Sequence, residues 1–218
     1  MRCMRPPTAS CFDSIPPRMT HLPPRLLFLL LLPLASCVNV GTPEARAPRV
    51  RQLSQDLQKL SPAVNAAEAD KLALTAIEVS ARLSQDFKPM FLPWANNALR
   101  NVGLRKRGLC YEWRDDLYPH LHVLNLKTLQ LHLASAFRTK PREHNGIIVT
   151  AKGQRFEDGL VLDPWRRGGR LWWGTFARDW SHKWKPLPWE LTPMALRPYI
   201  MPELYPEEAA KVGQAHRN

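Results

Sequence analysis

The sequence predicts an α+β domain in which N-terminal helices pack on an antiparallel sheet. Three observations predict it. A long amphipathic stripe with helical spacing occupies residues 65–88, short β-prone runs bounded by Gly and Pro follow residue 124, and the two kinds of segment are separated along the chain rather than alternating. Helices first and strands afterwards is the order of an α+β fold, not of a parallel βαβ array.

The helix begins at Asn65-Ala-Ala-Glu68, an N-cap side chain with an acid three residues later. Glu68, Lys71, Thr75, Glu78 and Arg82 then form a polar stripe, and Leu72, Ala76, Val79 and Leu83 its apolar counterpart. Pro89 stops the pattern. A second helix is expected from Cys110, with Glu112 and Asp116 on its solvent face. "LSQDL" at 53 and "LSQDF" at 83 echo each other, but two copies do not make a repeat architecture.

The strands follow. In residues 128–137 Leu129, Leu131 and Leu133 alternate with Gln130 and His132, a half-buried strand. "GIIVT" (146–150), "GLVLD" (159–163) and "RLWWG" (170–174) are further β-prone runs. With Gly153-Gln154 at the centre of a two-residue turn, 144–150 and 157–163 form a hairpin that sets His144 directly opposite Asp163.

The N-terminus carries a different signal. Residues 26–34, LLFLLLLPL, follow Arg18 and Arg25 and are too short to span a bilayer, which needs about 18 or more apolar residues, but have the length of a signal-peptide core. Met4 and Met19 are alternative starts. The run ends in Leu34-Ala35-Ser36-Cys37, which resembles the Leu-(Ala/Ser)-(Gly/Ala/Ser)-Cys box of bacterial lipoproteins. The resemblance implies cleavage after residue 36, acylation of Cys37 and anchoring to a lipid bilayer. With Val38 rather than Asp next, it implies the outer membrane, facing the periplasm. An ordinary secretory signal is the plainer alternative. The expected organisation is a lipoprotein signal peptide at 1–36, a lipidated Cys and flexible tether at 37–49, and one domain at 50–218. Its helical part is expected at about 50–123 and its sheet part at about 124–190.

The chain of 218 residues has formal net charge +12; without residues 1–36, 27 basic residues face 18 acidic ones, leaving +9. Such an excess favours anionic partners such as headgroups, glycans or cell-wall peptides, and export argues against nucleic acid. Cys3, Cys11 and Cys37 belong to the signal and anchor, so Cys110 has no partner. A leftover Cys in an exported protein is a reactive thiol, an intermolecular bridge or a small buried hydrophobe. A redox role lacks the second Cys that would resolve a disulfide.

Three short motifs stand in order: Gly108-Leu109-Cys110 before a helix, Glu143-His144-Asn145 before a strand, and Leu162-Asp163-Pro164-Trp165 after one. At these residues, over about 95–175, the chain resembles the transglutaminase-like superfamily, relatives of the papain-like cysteine proteases. The resemblance implies that fold, with Cys110 as nucleophile at a helix N-terminus, His144 as base and acid, and Asp163 as orienter on an adjacent strand. The implied activity is hydrolysis or acyl transfer on a peptide or protein amide, without metal or cofactor. Arg105, Lys106 and Arg107 either support a thiolate or point to solvent. The chain departs from the pattern at Leu104, where papain-like enzymes carry an oxyanion-hole Gln, and at Gly146. Backbone N–H groups near Cys110, or Trp94, Asn96 or Asn97, are substitutes for the Gln.

Trp113, Trp165 and Trp172 are candidate substrate contacts. The segment Trp165–Trp189 holds six of the eight Trp, interleaved with basic residues. It reads either as a stacking surface for glycan or peptide, or as packing behind the sheet under basic stems. Asp179 is the fallback acid. His120 and His122 offer two imidazoles on one face of a strand, short of the three or four ligands of a metal site. The reading from another class is a non-catalytic periplasmic binding or envelope-assembly protein that keeps the fold.

Overall fold

A computed structural model of the chain describes residues 38–90 and 92–215. The expected signal peptide and the acylated Cys37 lie outside the described residues. The fold is α+β: among the described residues four helices, α1 (Pro43–Gln58), α2 (Ala66–Phe87), α3 (Pro93–Asn101) and α4 (Cys110–His122), precede a five-stranded antiparallel sheet. The strands are β1 (Leu129–Ala136), β2 (His144–Ala151), β3 (Leu160–Asp163), β4 (Trp172–Thr175) and β5 (Lys185–Pro186), in the order β4-β3-β2-β1-β5. Short 3-10 turns and the helices α5 (Arg197–Ile200) and α6 (Pro206–Ala215) close the chain. Among the described residues no helix is long and apolar enough to cross a membrane.

The stretch read as a tether over 38–49 is helical from Pro43 onward. The start signals are local: the Thr42 hydroxyl accepts from the Ala45 N–H at 3.3 Å and Pro43 sits in the first turn. Leu53 and Leu57 then bury fully against α2, each worth about 1.5–3 kcal/mol. The Arg46 guanidinium donates to Glu78 at 2.9 Å across the same pair.

In α2 the apolar stripe Leu72, Ala76, Val79 and Leu83 is buried. The Asn65 side chain caps Glu68 N–H at 3.1 Å. Glu68 does not return the bond. Its carboxylate accepts from the N–H groups of Lys127 and Thr128 at 2.6 and 2.8 Å, pinning the start of β1.

Side chains alternate across the sheet. Leu129, Leu133, Ile147, Val149, Leu160 and Leu162 face the helices and join Trp113, Leu117 and Leu121 of α4 in the main core. Ala134, Ala136, Ile148 and Val161 face the other way, under Trp184. The sheet ends in β5, two residues with a proline, an edge that pairs poorly with a further strand.

The β2–β3 register corrects the expected hairpin. Ile147 pairs with Leu162, Ile148 with Val161 and Val149 with Leu160, two residues away from the register that sets His144 opposite Asp163. The turn falls one residue earlier than expected, on Lys152-Gly153, so that Gly153 (φ +81°) is its second central residue, closed by Gln154 N–H to Ala151 O at 3.0 Å. The 3-10 turn Phe156–Asp158 then consumes residues that an uninterrupted strand would have paired.

Candidate active site

Cys110 is the first residue of α4, and the turn before it fits only glycine. Gly108 has φ +125°, and a Cβ there would stand 2.3 Å from Asn96 Nδ2. Asn96 Nδ2 donates to Gly108 O at 3.0 Å and Trp113 Nε1 to the same oxygen at 3.2 Å. Glu112, expected on the solvent face, is buried instead: its Oε2 accepts from the N–H groups of Gly108 (2.6 Å) and Leu109 (2.9 Å). A carboxylate three residues into a helix is well placed to bind these donors. Among the described residues no acceptor is bonded to the N–H groups of Cys110 and Tyr111. A helix N-terminus of this kind favours negative charge beside it.

His144 opens β2 and is buried. Its Nε2 lies 2.5 Å from Asp163 Oδ2, which leaves Nδ1 for the Cys110 thiol. Burial alone pushes the imidazole toward neutrality, but the Asp163 carboxylate and the nearby thiol outweigh it, and the pKa is pushed up to about 10. Burial pushes Asp163 the other way, yet His144 and then Arg166 hold its carboxyl below the usual range. The site is walled by aromatic rings: Trp165 at 4.8 Å from His144, Trp184 and His182 each at 5.4 Å.

Asp163 is fully buried and fully satisfied. Its Oδ1 accepts from Arg166 N–H at 3.0 Å and its Oδ2 from Arg166 Nε at 2.9 Å, besides His144. The far end of the Arg166 guanidinium forms a bidentate pair with Asp179, at 3.0 and 2.9 Å. Asp179 also accepts from Trp184 Nε1 at 2.9 Å. His182 Nδ1 lies 2.9 Å from Asp179 Oδ1, close enough for a charge contact but outside hydrogen-bond geometry. Burial raises the Asp179 pKa, and His182, Arg166 and Trp184 more than reverse it, so the acid is held well below the carboxylate range.

Cys110, His144 and Asp163 are thus brought together. The three Trp candidates separate. Trp165 packs on His144 and donates to Asn97 Oδ1 at 3.3 Å. Trp172 lies under the Arg166 guanidinium at 3.8 Å, where it supports the second carboxylate of the network. Trp113 is a correction: it is fully buried, edge-on to Phe87 at 4.8 Å, out of a substrate's reach. Arg107 pairs with Asp116 at 2.8 Å and Arg105 binds the carbonyls of Phe87 and Lys88, so both are engaged away from the thiol. His120 and His122 lie on a helix rather than a strand, and two positions apart on a helix do not share a face. Among the described residues no group of three or more His, Cys, Asp or Glu is arranged to hold a metal ion.

Leu104, six residues before Cys110, is 74% exposed. Asn96 Nδ2 is spent on Gly108 O, Asn97 is held through its Oδ1 by Trp165, and the side chain of Trp94 lies outside the described part. Sequence reasoning passed over Asn145, whose Nδ2 is 3.6 Å from Cys110 Sγ. Arg114 Nη1 donates to its Oδ1 at 2.6 Å, which turns the amide N–H groups toward the sulfur. The signal is adjacency: Asn145 follows His144, on the strand face toward α4. Gly146 has a steric reason, since a Cβ there would meet the Trp184 ring at 3.2 Å.

Compared with known proteins, the chain matches no family model, no curated protein and no solved structure.

Proposed function

We propose that the chain is a thiol-dependent amide hydrolase or acyltransferase of transglutaminase-like, papain-related architecture, carried on a lipid-anchored, periplasm-facing outer-membrane protein. The observation that supports the reading is the gathering of three groups: His144 lies 2.5 Å from the Asp163 carboxylate and close enough to the Cys110 thiol to feel it. The Leu34-Ala-Ser-Cys37 box supports the anchor.

In this mechanism His144 takes the thiol proton and the sulfur attacks the substrate carbonyl, forming a C–S bond and a tetrahedral oxyanion. The N–H groups of Cys110 and Tyr111 and the Asn145 amide are the donors available to that oxygen. The oxyanion collapses, the C–N bond breaks, and the amine departs with the proton from His144. Water then gives a proton to His144, attacks the thioester and releases a carboxylic acid, returning the thiol. An amine in place of water gives transamidation. Asp163 fixes the tautomer and stabilises the imidazolium. The substrate is a peptide or protein amide, with cell-wall peptide a member of that class.

One observation favours the second reading, a non-catalytic binding or envelope-assembly protein: Cys110 is only 8% exposed. The two separate on alkylation by iodoacetamide across pH 4–9, beside His144→Ala. A thiolate held by an imidazolium alkylates well below the pH of free thiols, about 8.5, and loses that property with the His. Reaction only at alkaline pH, unchanged in the variant, rejects the enzyme.

A further inference from the structure

Two neighbouring cavities that share Arg138 and Leu191 in their walls form a trough to one side of the thiol. The inner one, about 350 Å³, is lined by Tyr111, Asn145, Glu143 and Thr139. It borders the site: two of its lining residues touch the sulfur, Asn145 through Nδ2 at 3.6 Å and Glu143 through its carbonyl O at 3.7 Å. Arg138 and Leu191 line both chambers. The outer one, about 530 Å³, adds Lys140, Lys183 and Lys185 over Phe137 and Pro188. These volumes suit a segment of peptide.

The charge of the outer chamber is one-sided. No acid lines it, and among the described residues Arg138, Lys140, Lys183 and Lys185 form no ion pair. Some cations elsewhere are paired, as at Arg107–Asp116, Arg155–Asp158 and Arg166–Asp179, but the trough gathers four that are not, around one cavity mouth. The acids of the inner chamber are engaged: Glu143 accepts from Thr139 N–H at 3.0 Å and Asp115 pairs with Arg114 at 2.7 Å. The backbone that shapes the trough is costly. Phe137, Thr139 and Lys183 all have positive φ, at 50°, 63° and 49°, which non-Gly residues seldom adopt and a β-branched Thr least of all.

We propose that the trough is the substrate channel and that it selects acidic peptides: the scissile amide lies over Cys110, and one or more carboxylates of the same peptide are held by Arg138, Lys140, Lys183 and Lys185. The inference rests on the catalytic reading for the amide and on the trough alone for the charge. It therefore assigns specificity to side chains that take no part in the chemistry.

The test uses a Cys110→Ala protein, which cannot turn over, and fluorescence anisotropy of two labelled peptides of equal length, one Glu-rich and one Gln-rich. The acidic peptide should bind about tenfold tighter at low salt, an advantage that salt screens. The triple variant K140E/K183E/K185E should abolish that preference. R167E/R170E/R178E, an equal charge change at exposed positions elsewhere, should leave it intact. Equal binding of the two peptides, or equal loss in both triple variants, overturns the proposal. So does tight binding to anionic phosphatidylglycerol vesicles with no preference between the peptides, which marks the patch as a membrane surface. Because no turnover is read, failure of the alkylation test in the native protein rejects the enzyme without touching this result.

Discussion

His144 and Asp163 meet on a diagonal of the sheet. Continuing the observed register sets Asp163 across from Gly146, yet the imidazole reaches it at 2.5 Å from two residues away on the same face. Diagonal neighbours are about 7–8 Å apart at the backbone, within reach of a ring. Gly146, without a side chain, leaves the path open.

This pair makes stability depend on pH. The folded pKa of His144 stands at about 10 against an ordinary 6.5, so its contribution is complete below pH 6.5 and is lost as pH rises toward 10. Asp163 is held low, so its contribution is present above the ordinary 3.8 and lost as pH falls through its folded value. Thermal unfolding should show Tm falling by several degrees from pH 6.5 to 9.5, at about 2–4 °C per kcal/mol for a chain of this size. In His144→Gln that alkaline decline should be largely gone.

Asp163→Asn should keep the fold's outline and lose the reaction. By analogy with serine-protease triads the loss in kcat is about 10⁴-fold, because the ring then has no carboxylate to fix its tautomer. Peptide hydrolysis at pH 7, beside a binding measurement that changes little, checks it.

Arg166→Gln should be the most damaging single change to stability. It strips the guanidinium from two acids, Asp163 and Asp179, which are 0% and 5% exposed. Breaking a buried pair costs about 3–5 kcal/mol, and urea denaturation reads it directly. Arg166→Lys should rescue little, since an ammonium does not make the planar fork to Asp179 while also reaching Asp163.

Asn145→Ala should divide binding from chemistry. Loss of an oxyanion donor lowers kcat by about 10²–10³-fold with KM little moved. Iodoacetamide alkylation involves no tetrahedral oxyanion and should stay near the native rate. A proportional fall in both would make Asn145 a support for the thiol instead.

Gly108→Ala should destabilise the protein and displace the thiol. The backbone at φ +125° and the 2.3 Å approach to Asn96 Nδ2 leave a methyl group no room. A cost of about 1–3 kcal/mol, with slower alkylation of Cys110, is expected.

Much of the scaffold was legible because it rests on periodicity. The stripe Leu72–Leu83 marks α2, and the alternation of Leu129, Leu131 and Leu133 marks β1. β5 was not, since Lys185-Pro186 carries no pattern and pairs only through β1. The meeting of Cys110, His144 and Asp163 was legible through short motifs, but its geometry was not. The loop at Phe156–Asp158 shifts the register by two, and alternation on one strand is unchanged by a shift of two. Asp179 could be read only as a rival to Asp163. Its place behind that acid depends on one guanidinium spanning both, which spacing along the chain does not encode.

That shared guanidinium has an evolutionary side. Two acids that share one cation have no separate histories: a change at 179 leaves the whole of that positive charge to 163, and the imidazole feels it next. Drift in the Ala177–His182 turn, far along the chain from Cys110, is therefore felt at the His144–Asp163 pair.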